Sequence, residues 1–153
     1  NYIGIDIKGS RIFSGADLVL KEGLQNVYFV RTQIEYIESL FSSGEVCEIW
    51  ITFPDPQIKF NRRKKRLTHP FMLNKYKHIL RKDGVVNLKT DSLFLYGYTL
   101  GVLAQVPSSV IVSTSDLYSQ KISDNRLNIK THYENMFLGI HKPISYLSFS
   151  FVS

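Results

Sequence analysis

The sequence is poor in the residues that staple or anchor a chain. It has one cysteine, Cys47, in 153 residues, which excludes an internal disulfide and a cysteine-rich metal site. Cys47 sits in an apolar run and is expected to be a buried structural thiol, which suits a reducing cytoplasm. No stretch of about 18 apolar residues occurs, so no membrane-spanning helix is expected. The opening residues, Asn1 to Asp6, lack the basic and apolar regions of a signal peptide. The histidines His69, His78, His132 and His141 show no metal-ligand spacing with Cys, Asp or Glu, so no metal is expected. Acids are scarce too: 13 Asp and Glu stand against 19 Lys and Arg, a net charge of +6. A basic balance suits a polyanionic partner.

What remains is ordinary globular material, 44% hydrophobic and 21% charged, and 1–153 is read as one domain. Apolar runs predict strands over 2–7, 27–30, 46–53, 85–89, 110–113 and 144–152. Helical spacing predicts helices over 9–24 (closed by Gly23), 34–41, 70–80, 93–103 and 131–138. Lys82-Asp83-Gly84 reads as a turn, and 116–128 as a polar loop. Alternating strands and helices predict an α/β fold with a doubly wound, mostly parallel sheet. Such sheets bind ligands at the carboxyl ends of their strands.

Three predicted strand ends carry acids. Asp6 suits hydrogen bonds from ribose hydroxyls, or the capping of the next helix. Asp55 lies between Pro54 and Pro56, which fix the backbone and aim the carboxylate; a plain Pro-Asp-Pro turn is the alternative. Asp91 is a site acid or an N-cap of the following helix. After Asp55 comes a nearly unbroken basic run: Lys59, Arg62, Arg63, Lys64, Lys65 and Arg66. It contains no acid, which favours phosphate binding over a merely solvated face.

The block Ile51-Thr52-Phe53-Pro54-Asp55-Pro56, with Lys59 and Arg63-Lys64-Lys65-Arg66-Leu67 behind it, resembles the bacterial tRNA (guanine-N7-)-methyltransferases, the TrmB family. So do Gly4 to Ile12, Gly23 to Val27, Leu88-Lys89-Thr90-Asp91 and Thr131-His132-Tyr133-Glu134, in the family's order. The resemblance implies a Rossmann-like class I methyltransferase. Such an enzyme uses S-adenosyl-L-methionine to methylate N7 of a guanosine in tRNA, usually position 46 of the variable loop. It implies that Asp6 binds the cofactor ribose and that Asp55 is the catalytic, cofactor-facing acid. Thr32 stands where the family usually has Asp or Asn near the adenine, so Thr32, Gln33 or a backbone amide is expected to substitute. Lys59, Asp91, Thr131, His132, Tyr133 and Glu134 match substrate-contacting positions. Arg63, Lys64 and Arg66 are expected to grip tRNA phosphates on a loop that orders on binding.

The sequence does not begin with Met and opens inside a predicted strand. Natural sequence is therefore expected before Asn1, where the family carries its acidic residue and glycine-rich cofactor turn. The protein is expected to act as a monomer or homodimer. Two other readings are a non-catalytic RNA-binding module of the same fold and a nicotinamide-dependent oxidoreductase fragment. The second leaves the basic run unexplained.

Overall fold

The structure, a computed structural model, describes residues 1–120 and 122–152. The chain forms two compact units, Asn1–Ser42 and Ser43–Ser153.

In the first unit, strand β1 (Tyr2–Asp6) pairs in parallel with β2 (Val27–Arg31). Helix α1 (Gly9–Glu22) connects them. It stops at Gly23, whose φ of 66° is the left-handed conformation that a glycine adopts without steric cost. The helix expected over 34–41 is a 3-10 segment, Ile34–Ser39. Of its apolar residues only Ile37 is buried, too little to stabilise a longer helix.

The second unit holds a four-stranded sheet in the order β3-β4-β6-β5. Strand β3 (Val46–Thr52) runs parallel to β4 (Leu80–Thr90). Strand β6 (Ser145–Phe151) runs antiparallel to both β4 and β5 (Ser108–Thr114). Three of the four strands thus share one direction. β4 begins earlier than expected, directly after the preceding helix. Its partner register jumps from Val46↔Leu80 to Glu48↔Val85, so the expected turn at 82–84 is a bulge inside the strand. A Cβ on Gly84 would meet the Arg81 carbonyl at 2.9 Å, which is why this bend takes glycine.

Helix α2 (Pro70–Ile79) starts with Pro70 behind the cap residue His69, the position where a missing N–H costs nothing. It buries Met72, Leu73, Tyr76 and Ile79, a stripe at helical spacing. Helix α3 (Leu93–Leu103) is capped by the Ser92 side chain and buries Leu95, Thr99, Val102 and Leu103. Helix α4 (His132–Gly139) opens with a capping box between Thr131 and Glu134. The segment expected as loop over 116–128 contains two 3-10 turns, Leu117–Ser119 and Asn125–Asn128. Leu117 and Leu127 are buried there against Tyr146.

Cys47 is exposed rather than buried. It lies on β3, an outer strand of this sheet, at the point where the register to β4 slips.

Candidate active site

Asp6 closes β1 in the first unit. Its Oδ1 accepts from the Lys8 amide at 2.8 Å, and its Oδ2 from the Arg11 guanidinium at 3.1 Å. Burial pushes the Asp6 pKa up, but the Lys8 amide and Arg11 outweigh it and hold the carboxyl below its ordinary value. An ionised carboxylate at the carboxyl end of a parallel strand is the acceptor that a ribose diol requires, so this residue fits a nucleoside-bearing cofactor. The Thr32 amide is taken up by the Asp6 carbonyl at 3.3 Å. That leaves the half-buried Thr32 hydroxyl and the exposed Gln33 side chain for any contact to the base.

In the second unit, β3 ends in a loop that contains Pro54 and Pro56. The Phe53 amide still donates to the Lys89 carbonyl at 2.8 Å. The backbone then breaks sharply: Phe53 has φ 49° and Gln57 has φ 47°. Left-handed backbone costs a residue with a Cβ about 1–2 kcal/mol, so the surrounding contacts must hold both in place. Between them stands Asp55, exposed, with Oδ1 accepting from the Gln57 amide at 2.9 Å. The Phe53 ring packs 5.9 Å from that of Phe137 on α4. The Lys142 ammonium lies 4.9 Å from the Phe137 ring and bonds Asp91 Oδ2 at 2.5 Å. Phe53, Phe137, Lys142 and Asp91 therefore join the Asp55 loop, α4 and the end of β4. Asp91 is no helix cap, since Ser92 takes that role.

Behind Asp55, Phe60–Lys65 forms a 3-10 turn. The basic segment is thus already ordered, with the Arg62 amide bonded to the Lys59 carbonyl at 3.0 Å. Lys59, Arg62, Lys64 and Lys65 are exposed. The Arg63 guanidinium stacks 4.0 Å over the Phe60 ring. Arg66 behaves differently. It is 5% exposed, donates to the carbonyls of Gln57 (3.2 and 3.1 Å) and Ile58 (3.4 Å), and lies over the rings of Phe94 and Tyr98. Its expected grip on phosphate is closed off by this burial.

Glu134 departs in the same way. It has no exposed surface. Its Oε1 meets Lys89 Nζ at 2.6 Å and the Tyr118 hydroxyl at 2.5 Å; its Oε2 accepts from the Thr131 amide at 3.1 Å. Burial, then Glu134 itself, push the Tyr118 phenol far above its ordinary pKa, so it stays a donor. Glu134 is thus saturated by its own protein and has no free face for a guanine edge. Thr131 is held as the helix cap, while His132 and Tyr133 are exposed.

Tyr118, Phe137 and Lys142 escaped the reading of the sequence, and Lys89 stood in a motif block without a role of its own. One signal was present: a lysine inside the apolar strand 85–89 calls for a buried acid. Among the described residues, no group of three His, Cys, Asp or Glu could hold a metal ion, and no helix is long and apolar enough to cross a membrane.

A family model described as a putative methyltransferase matches residues 1–147. The tRNA (guanine-N(7)-)-methyltransferase of Christiangramia forsetii is 51% identical over 97% of this chain and 67% of its own length. That of Bacteroides thetaiotaomicron is 44% identical over 97% of this chain and 58% of its own length. The chain therefore spans between about three-fifths and two-thirds of the relatives it matches. A solved rRNA methylase from Streptococcus thermophilus aligns with a TM-score of 0.63 at 9% identity, covering 99% of this chain and 73% of its own. At that identity it speaks to the fold alone, an α/β methyltransferase architecture. With an acid at the end of β1, a Pro-Asp-Pro turn at the end of β3 and relatives at this level of identity, the chain belongs to the bacterial tRNA (guanine-N7-)-methyltransferase family.

Proposed function

We propose that the protein transfers a methyl group from S-adenosyl-L-methionine to N7 of a guanosine in tRNA, at position 46 of the variable loop. The observation that carries this reading is the Phe53–Gln57 loop, two left-handed residues bracketing an exposed acid beside an ordered basic turn. The family match over 1–147 supports reading 1–153 as one methyltransferase domain. We place its action in the cytoplasm, as a monomer or homodimer.

Asp6 would accept hydrogen bonds from the cofactor ribose, with Thr32 and Gln33 near the adenine. The bound cofactor supplies an electrophilic methyl on a sulfonium sulfur. Guanine N7 carries a lone pair and no proton, so the acceptor needs no general base. What remains for the protein is alignment. Asp55 would orient the guanine or the cofactor's ammonium group. Asp91, fixed by Lys142, and Thr131, His132 and Tyr133 would meet the substrate from the β4 end and α4. Lys59, Arg63 and Lys64 would draw in phosphates. The non-catalytic RNA-binding reading predicts the same salt-dependent affinity without methyl transfer.

The test uses the full-length protein and unmodified tRNA, with transfer of a labelled methyl to N7 as the readout. Wild type should methylate. Asp55→Ala should lose methylation while tRNA affinity stays within about twofold, because Asp55 makes no phosphate-type contact. A variant that turns over normally would remove Asp55 from the site. A wild type that binds tRNA but never methylates it would favour the binding module.

A further inference from the structure

We infer that Arg66 is the positioning residue that fixes the geometry of the Asp55 loop, and that it is not part of the RNA-gripping charge despite closing the basic run. The inference rests on the reading of Asp55 as the aligning acid.

Six of the eight residues from Lys59 to Arg66 are cationic, and the structure separates one from the rest. Lys59, Arg62, Lys64 and Lys65 face solvent. Arg66 is 5% exposed, and its guanidinium is enclosed on several sides. Phe94 and Tyr98 of α3 approach it at 4.8 and 4.3 Å from their ring centroids. Along the guanidinium edge, Nε and Nη2 both donate to the Gln57 carbonyl, and Nη2 reaches on to that of Ile58. No carboxylate touches it in these contacts, so the charge is met by carbonyl dipoles and aromatic faces.

The target of this clamp is specific. Gln57 is one of the two residues around Asp55 with left-handed backbone, and its amide is the donor that orients the Asp55 carboxylate. Arg66 therefore grips the carbonyl of the very residue whose N–H aims the acid. The platform under it is fixed in turn: Thr68 is fully buried, and its hydroxyl lies 2.7 Å from that of Thr99 on α3. Rings from α3, the guanidinium and the loop backbone form one stack whose last member is Asp55. A lysine has the charge but not the planar edge that spans two donors onto one carbonyl, so charge alone does not satisfy this position.

The experiment compares Arg66→Lys and Arg66→Ala with wild type in the full-length protein, measuring kcat, KM for tRNA, the salt slope of tRNA binding, and thermal melting. Arg66→Lys should fold, keep KM and the salt slope, and lose about tenfold in kcat; Arg66→Ala should lose about a hundredfold, as misplaced reacting groups do. Added methylguanidinium should restore part of the kcat of Arg66→Ala and none of that of Arg63→Ala. A normal kcat in Arg66→Lys overturns the inference, as does a flattened salt slope with a raised KM, which would make Arg66 a phosphate contact. Should Arg66→Ala fail to fold, Arg66→Lys decides by the same criteria. Failure of the underlying reading is distinguishable: Asp55→Ala would then turn over normally, whatever Arg66→Lys does.

Discussion

Asp55 and Glu134 are both acids in motif blocks, and they occupy opposite situations in the molecule. Asp55 is exposed and held by one backbone amide. Glu134 has no exposed surface and binds an ammonium, a phenol and an amide. An acid so completely answered by its own protein organises structure; an acid answered once, on a strained loop, keeps capacity for a ligand. The same division runs through the cations, with Arg66 and Lys89 inside and Lys59, Lys64 and Lys65 outside.

The largest effect should come from Glu134→Ala. It leaves the Lys89 ammonium buried without its partner, which costs about 3–5 kcal/mol in unfolding free energy, measurable by denaturant titration. Asp55→Ala, by contrast, should change stability by about 0.5 kcal/mol or less, as exposed substitutions do. Equal losses in the two variants would erase the distinction. A next, smaller effect concerns the outer cations. Replacing Arg63, Lys64 and Lys65 together by alanine should weaken tRNA binding and reduce the salt slope by about one for each phosphate contact removed. A slope equal to that of wild type would mean the turn does not meet RNA.

The smallest effect is at His69, whose Nδ1 accepts from the Phe71 amide at the start of α2 at 3.1 Å. Burial, then the charges of Arg63, Lys64 and Arg66, lower its pKa from the ordinary 6.5. As pH falls below 6.5, the unfolded chain takes up this proton before the folded one does, so stability declines toward the lowered value. His69→Asn keeps an acceptor for the cap without the titration, and should flatten that part of the stability profile measured from pH 7 to 5. A profile unchanged by the substitution would assign the pH dependence elsewhere.

Much of this organisation was legible in the sequence. Asp6, Asp55 and Asp91 stood at apolar-run ends, and those runs became β1, β3 and β4. Gly23 and the Thr131-to-Glu134 spacing marked a helix stop and a capping box. Direction was not legible. A run of six cations in eight residues states a composition, and only the partners from α3 decide that Arg66 turns inward. Glu134 had the right type for a guanine edge, but Lys89 lies 45 positions away and nothing local pairs them. Cys47 belonged to an apolar run, yet it falls where β3 and β4 lose register. The 3-10 geometry of 34–39 and 60–65 was hidden for a related reason: short segments carry too few periods to separate one helix type from another.

Strand β6 contains none of the proposed site residues, yet it lies between β4 and β5 and pairs with both. Its partners on β4 are distant in sequence, Val85 with Ser150 and Thr90 with Ser145. Contacts of such long range form late, because the loop must close before any pairing rewards it. During synthesis the acid-bearing end of β4 must therefore wait, with its apolar flank uncovered, until β6 has been made. The sheet of the second unit is complete only once Ser145–Phe151 is available, and premature stops shortly before Ser145 should yield aggregating fragments rather than smaller folded ones.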